Sequence, residues 1–134
     1  MTTQSARNLE HVQRIYDAFG KGDLPTILAG FSPDGVISFE GASRAVPWHA
    51  TARGAEITAF FATLAEAVEF EIFDPQGWVT GEDTVAVQLH LRYRIKRTGK
   101  TVDQRQVHWW TLDAGKVMRV HHFEDTHQVI AACA

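Results

Sequence analysis

The sequence is nearly without cysteine. Cys133 stands alone, so no internal disulfide can form, and a reducing, cytoplasmic setting is expected. Proline is scarce too, four in 134 residues, and no Pro- or Gly-rich stretch marks a linker. One domain over residues 1–134 is therefore expected. No segment approaches the roughly 18 apolar residues of a membrane span. The start, Met1-Thr2-Thr3-Gln4-Ser5, lacks a basic segment followed by an apolar one, so no secretory leader is expected. Charge of one sign is missing as well. Thirteen basic residues face sixteen acidic ones, without the basic stripe that nucleic acid requires. Metal-binding strings are absent: there is no His-x-His and no HExxH. His121 and His122 are strand neighbours, point to opposite faces and cannot chelate one ion. No cofactor, metal, nucleic acid or membrane partner is expected.

What is present is a change of period. Leu9, Val12, Ile15, Tyr16 and Phe19 recur at helical spacing, which predicts a helix from Ser5 to Phe19, stopped by Gly20 and Gly22. Asp23 and Pro25 open a second helix with the stripe Leu24, Ile27, Leu28 and Phe31, ended by Pro33. Val36 to Glu40 reads as a short strand and Gly41 to Arg53 as a loop containing Trp48. Ile57, Phe60, Phe61 and Leu64 mark a third helix over 54–67. From Val68 onward the period is two. Strands are expected from Val68 through Ile72, from Val85 to Ile95, from Asp103 to Leu112 and from Val117 to Glu124, before a last helix from Thr126 to Cys133. Helices first and a meander afterwards argue an α+β domain.

The element order, with Phe31-Ser32-Pro33-Asp34-Gly35-Val36, resembles the nuclear transport factor 2-like superfamily. Asp113-Ala114-Gly115-Lys116-Val117 followed by His122-Phe123-Glu124-Asp125-Thr126 resembles its SnoaL-like, polyketide cyclase-like branch. The resemblance implies a cone: a strongly curved antiparallel or mixed sheet packed against three N-terminal helices around an internal apolar pocket. It also implies a homodimer. A steroid-isomerase branch of this superfamily uses a tyrosine on helix one and two acids on strands. Those positions hold Ile15, Phe39 and His108 here, with Tyr16 and Glu40 each one residue away, so that set is not matched.

Val87, Leu89 and Leu91 must face the core, which turns His90 and Arg92 outward. On the next strand each face holds one tryptophan, so composition leaves the split open. The family placement puts Gln106, His108 and Trp110 inside and Val107 and Trp109 outside, where they would pair two subunits together with His90 and Arg92.

The resemblance makes His108 and Asp125 the expected acid/base pair. A neutral imidazole moves protons near neutral pH, and a carboxylate against apolar walls is a stronger base than one in water. The alternatives are a hydrogen-bonded core histidine and a helix cap, since Asp125-Thr126-His127-Gln128 has the form of a capping box. His122 and Glu124 are expected to line the pocket with Val120, Tyr16 to offer a phenol or pack, and Trp48 and His49 to rim the mouth. The expected function is a cofactor-free lyase, cyclase or isomerase acting on a small hydrophobic carbonyl compound. The competing reading is a dimeric domain that binds such a molecule without reaction.

Overall fold

The structure is a computed structural model and describes residues 2–134; Met1, read above as part of the start, lies outside them. Helix α1 (Thr3–Gly20) starts earlier than its stripe suggests, because Thr2 Oγ1 accepts the Ser5 N–H at 3.1 Å and caps the first turn. It ends where Gly22 adopts φ +68°, a conformation glycine enters cheaply. Val12, Ile15 and Ala18 on its inner face are buried. Asp23 caps α2 (Leu24–Ala29) by accepting from Thr26 N–H at 3.2 Å.

The predicted continuation of α2 to Phe31 is corrected. Phe31 begins strand β1 (Phe31–Phe39), which pairs in parallel with the last strand from Phe31 opposite Val117. Pro33 does not terminate a helix. It occupies an irregularity between Phe31 and Val36, where a residue without an N–H donor is tolerated. Strand β2 is the pair Ala52–Arg53 at the end of the expected loop, followed by α3 (Glu56–Ala67).

The meander runs through β3 (Val68–Thr80), β4 (Thr84–Ile95), β5 (Thr101–Asp113) and β6 (Lys116–Phe123). Strand β3 extends well past Ile72. It lies at a sheet edge, where a proline such as Pro75 is tolerated. The six strands form one mixed sheet in the order β2-β1-β6-β5-β4-β3, and α4 (Thr126–Cys133) closes the chain. The fold is α+β, a curved sheet closed over helices. Its core is continuous, with Val87, Leu89 and Leu91 buried from β4 and Trp110, Val117 and Val120 from β5 and β6. Each such side chain contributes about 1.5–3 kcal/mol on removal from water. No helix of the described residues is long and apolar enough to cross a membrane.

Candidate active site

The sheet and the first three helices enclose a cavity of about 90 Å³, room for several waters or a small organic group. Its wall is mostly aromatic: Tyr16 and Phe19 from α1, Phe39 from β1, Phe60 and Phe61 from α3, Phe70 and Phe73 from β3. Polar groups gather at one side, on Tyr16, Gln106, His108, His122 and Glu124. No lysine or arginine lines it among the described residues.

Register explains the gathering. His108 lies opposite His122 across the β5–β6 pair, with ring centroids 4.3 Å apart. Gln106, His108 and Trp110 alternate inward and are buried, while Val107 and Trp109 are exposed. The family placement left open by composition is thus the one adopted. Tyr16 approaches from α1: its hydroxyl lies 2.7 Å from His108 Nδ1 and accepts the Trp110 indole N–H at 2.9 Å.

Hydrogen positions in this network follow from groups that can only donate or only accept. The Asp125 backbone N–H donates to Gln104 Oε1 at 3.0 Å, which marks that atom as oxygen. The Gln106 amide nitrogen therefore donates to Gln104 Oε1 and to Glu124 Oε2, the latter at 3.1 Å. Gln106 Oε1 is left to accept from His108 Nε2–H at 3.3 Å. His108 Nδ1 then carries a lone pair and accepts the Tyr16 O–H. On the far side the Ser43 backbone N–H donates to His49 Nδ1 at 3.0 Å, so His49 bears its proton on Nε2. It donates that proton to Glu124 Oε1 at 2.5 Å, where both side chains are 1% exposed. Two lines of donors thus converge on the Glu124 carboxylate, one from Trp110 through Tyr16, His108 and Gln106, the other from the loop through His49.

His122 differs. Its Nδ1–H donates to the Ser38 carbonyl at 3.0 Å, which fixes the tautomer and leaves the lone pair on Nε2. No described group bonds that nitrogen, and no fully buried side-chain polar atom lacks a partner, so Nε2 opens onto the cavity. The ring is held between Phe39, stacked at 4.3 Å, and His108. Burial is the main reason its pKa falls to about 4; neighbouring His121 and His49 push the same way, against the Ser38 carbonyl. Burial, then His122, also holds His108 well below the usual imidazole range. Both rings are neutral at neutral pH. Burial raises the Tyr16 and Tyr93 phenols far above their ordinary range, so each keeps its proton.

Three expectations need correction. His108 and Asp125 do not converge. Asp125 is exposed and accepts the Gln128 N–H at 3.3 Å as the cap of α4; only its backbone, which bonds Gln104 through both N–H and C=O, serves the site. Trp48 does not rim the mouth: it is buried in the wall, edge-on to Tyr93 at 6.2 Å. Tyr16, one residue off the expected tyrosine position, nevertheless reaches the polar group, and Ile15 lines the cavity beside it. Glu40 does follow the strand rule and lies outside, accepting from His121 at 3.1 Å. His122 and Glu124 line the cavity as the resemblance implied. His49, expected beside Trp48 at the mouth, is instead buried against Glu124. A buried loop histidine opposite a carboxylate just past β6, 75 residues apart, has no local signature.

A profile of the SnoaL-like domain matches residues 12–120. An uncharacterised protein of Mycobacterium tuberculosis (strain H37Rv) is 29% identical over 122 residues, 87% of each chain. The crystal structure of a nuclear transport factor 2-like protein from Burkholderia xenovorans LB400 superposes with TM-score 0.88 at 26% identity, covering 97% of this chain and 98% of that one. TerC, co-crystallised with polyporic acid, superposes with TM-score 0.81 at 26% identity over 93% of this chain and 98% of its own. The chain belongs to the SnoaL-like domain family, on the nuclear transport factor 2-like fold.

Proposed function

We propose that this domain is an isomerase or cyclase that moves protons on a small, apolar carbonyl compound with its own side chains. The observation that carries the proposal is the open Nε2 of His122, a neutral proton acceptor aimed into an aromatic cavity beside a phenol that keeps its proton. In the proposed step, Nε2 takes a proton from the carbon next to the carbonyl. The electron pair moves onto the carbonyl oxygen. Tyr16 turns its O–H from His108 to that oxygen while still accepting from Trp110, which stabilises the developing charge. Where the enolate is conjugated, return of the proton from His122 to its far carbon completes an isomerisation; attack of the enolate carbon on a second carbonyl of the same molecule closes a ring, and the His122 proton passes to the alkoxide so formed. Until Tyr16 turns, His108, with both nitrogens engaged, holds it in place. The SnoaL-like membership, and the co-crystallisation of TerC with the small molecule polyporic acid, support a ligand for this fold's cavity.

The test is deuterium exchange into 2-tetralone, an enolisable ketone, followed by NMR. Wild type should accelerate exchange over buffer, and His122→Ala should remove about 10²-fold or more of that acceleration. Exchange no faster than buffer, or indifferent to His122, overturns the reading. The second reading, binding without reaction, is favoured by one observation: Asp125, the expected base, is spent as a cap. It predicts a bound ketone and no exchange.

The same proposal includes a second copy of the chain as partner. Val107, Trp109 and Phe123 are 37%, 47% and 41% exposed on the outer face, and Val107 pairs with Phe123 across β5–β6. His90 and Arg92 flank this patch, both bonded to Asp103.

A further inference from the structure

The geometry points to Glu124, held by His49, as the determinant that makes this cavity take uncharged ligands and reject their carboxylate analogues. The inference rests on the cavity being the ligand site, as proposed above, and adds the charge class of what enters.

The cavity holds a carboxylate and nothing to balance a second one. Both Glu124 oxygens accept hydrogen bonds, from His49 and Gln106, and neither donor is a cation: His49 accepts a backbone N–H on its other nitrogen, and Gln106 is an amide. None of the remaining polar groups is a cation: His122 offers a bare nitrogen, and Tyr16 and Tyr93 are uncharged phenols. Neutralising an incoming anion would need a protonated His108 or His122, which burial disfavours. A ligand anion would therefore face one buried negative charge and several lone pairs in a low-dielectric space, where like charges repel far more than in water. An uncharged ligand meets no such repulsion. One with an N–H or O–H finds a ready acceptor, and a carbonyl can draw the Tyr16 O–H to itself.

His49 makes this arrangement permanent. Its ring is stacked on Phe39 at 4.8 Å, and its proton is fixed by the Ser43 backbone. The carboxylate therefore cannot swing out to solvent without stripping a buried histidine of its partner, a cost typical of unsatisfied buried groups.

Acetophenone, benzamide and benzoate share one shape and differ in a methyl, an amide and a carboxylate, so their affinities separate charge from size. Titrated into wild-type protein at about pH 7 and followed by NMR, acetophenone and benzamide should each bind at least tenfold tighter than benzoate. The ratio should persist in high salt, because the repelling charge is buried rather than on the surface. Glu124→Gln should tighten benzoate by about tenfold while leaving acetophenone within about twofold. Benzoate binding as tightly as acetophenone to wild type overturns the inference, as does a preference that salt removes. If Glu124→Gln does not fold, the wild-type ratio and its salt dependence decide alone. A folded variant with an unchanged ratio removes Glu124 as the determinant. Ketone exchange with no charge preference sinks this inference but spares the acid/base reading. A charge preference without ketone exchange does the reverse.

Discussion

The two faces of β5 and β6 are built from nearly the same residues and behave in opposite ways. Inside stand His108, Trp110 and His122; outside, each one residue away, stand Val107, Trp109 and His121. Trp110 is 4% exposed and donates its indole N–H to Tyr16, while Trp109 is 47% exposed. His121 has both nitrogens occupied, one by Ser38 Oγ and Arg119, the other by Glu40. His122 has one nitrogen free and faces no charged partner. A histidine among polar partners at a surface is a strut. A histidine with one fixed proton in an aromatic hollow is the group that the proposed proton transfer requires. What separates them is the face of the strand, since alternation places neighbours in different solvents.

The comparison can be broken most forcefully at the tryptophans. Trp110→Ala should cost about 3–5 kcal/mol in denaturant titration, because it opens a cavity and leaves the Tyr16 oxygen without its donor. Trp109→Ala should cost under about 1 kcal/mol. Equal costs would mean the two faces are not distinct.

Acid should sharpen the same contrast. His122 is held at about 4 when folded and returns to about 6.5 when unfolded, so between those values the unfolded chain binds more protons. Stability is therefore full above about pH 6.5 and falls by about 3 kcal/mol as the pH drops to about 4, with His108 adding in the same direction. His122→Phe should flatten that fall. A slope that this substitution leaves unchanged would deny the burial argument.

Asp125→Ala should cost about 1 kcal/mol, the usual loss of an N-cap, while ketone exchange stays within about twofold of wild type. A hundredfold loss of exchange would return Asp125 to the chemistry. The smallest effect on folding is expected at Trp109→Glu, within about 0.5 kcal/mol, yet it should shift sedimentation toward the monomer. An unchanged association would place the contact elsewhere.

The helices and strands were legible because their periods are strong. The stripe Val12, Ile15 and Phe19 and the alternation Val87, Leu89 and Leu91 leave little choice of inward face. The reading failed where a local signal competed with a distant pairing. Phe31 and Pro33 read as the end of a helix, but a parallel partner 86 residues on at Val117 claimed Phe31 for a strand. Asp125 carried two meanings, cap and base, and the exposed turn at the start of α4 chose the first.

The sequence by itself determined the periodicities, the glycine stops, the capping residues and the family pattern, because these depend on neighbours within a few positions. Tertiary structure alone decided which imidazole keeps a free lone pair. That choice rests on backbone donors and carbonyls of Ser43, Asp125 and Ser38, brought to the cavity from separate elements. A tautomer depends on what stands about 3 Å from each ring nitrogen, and that distance is set by folding, not by order along the chain.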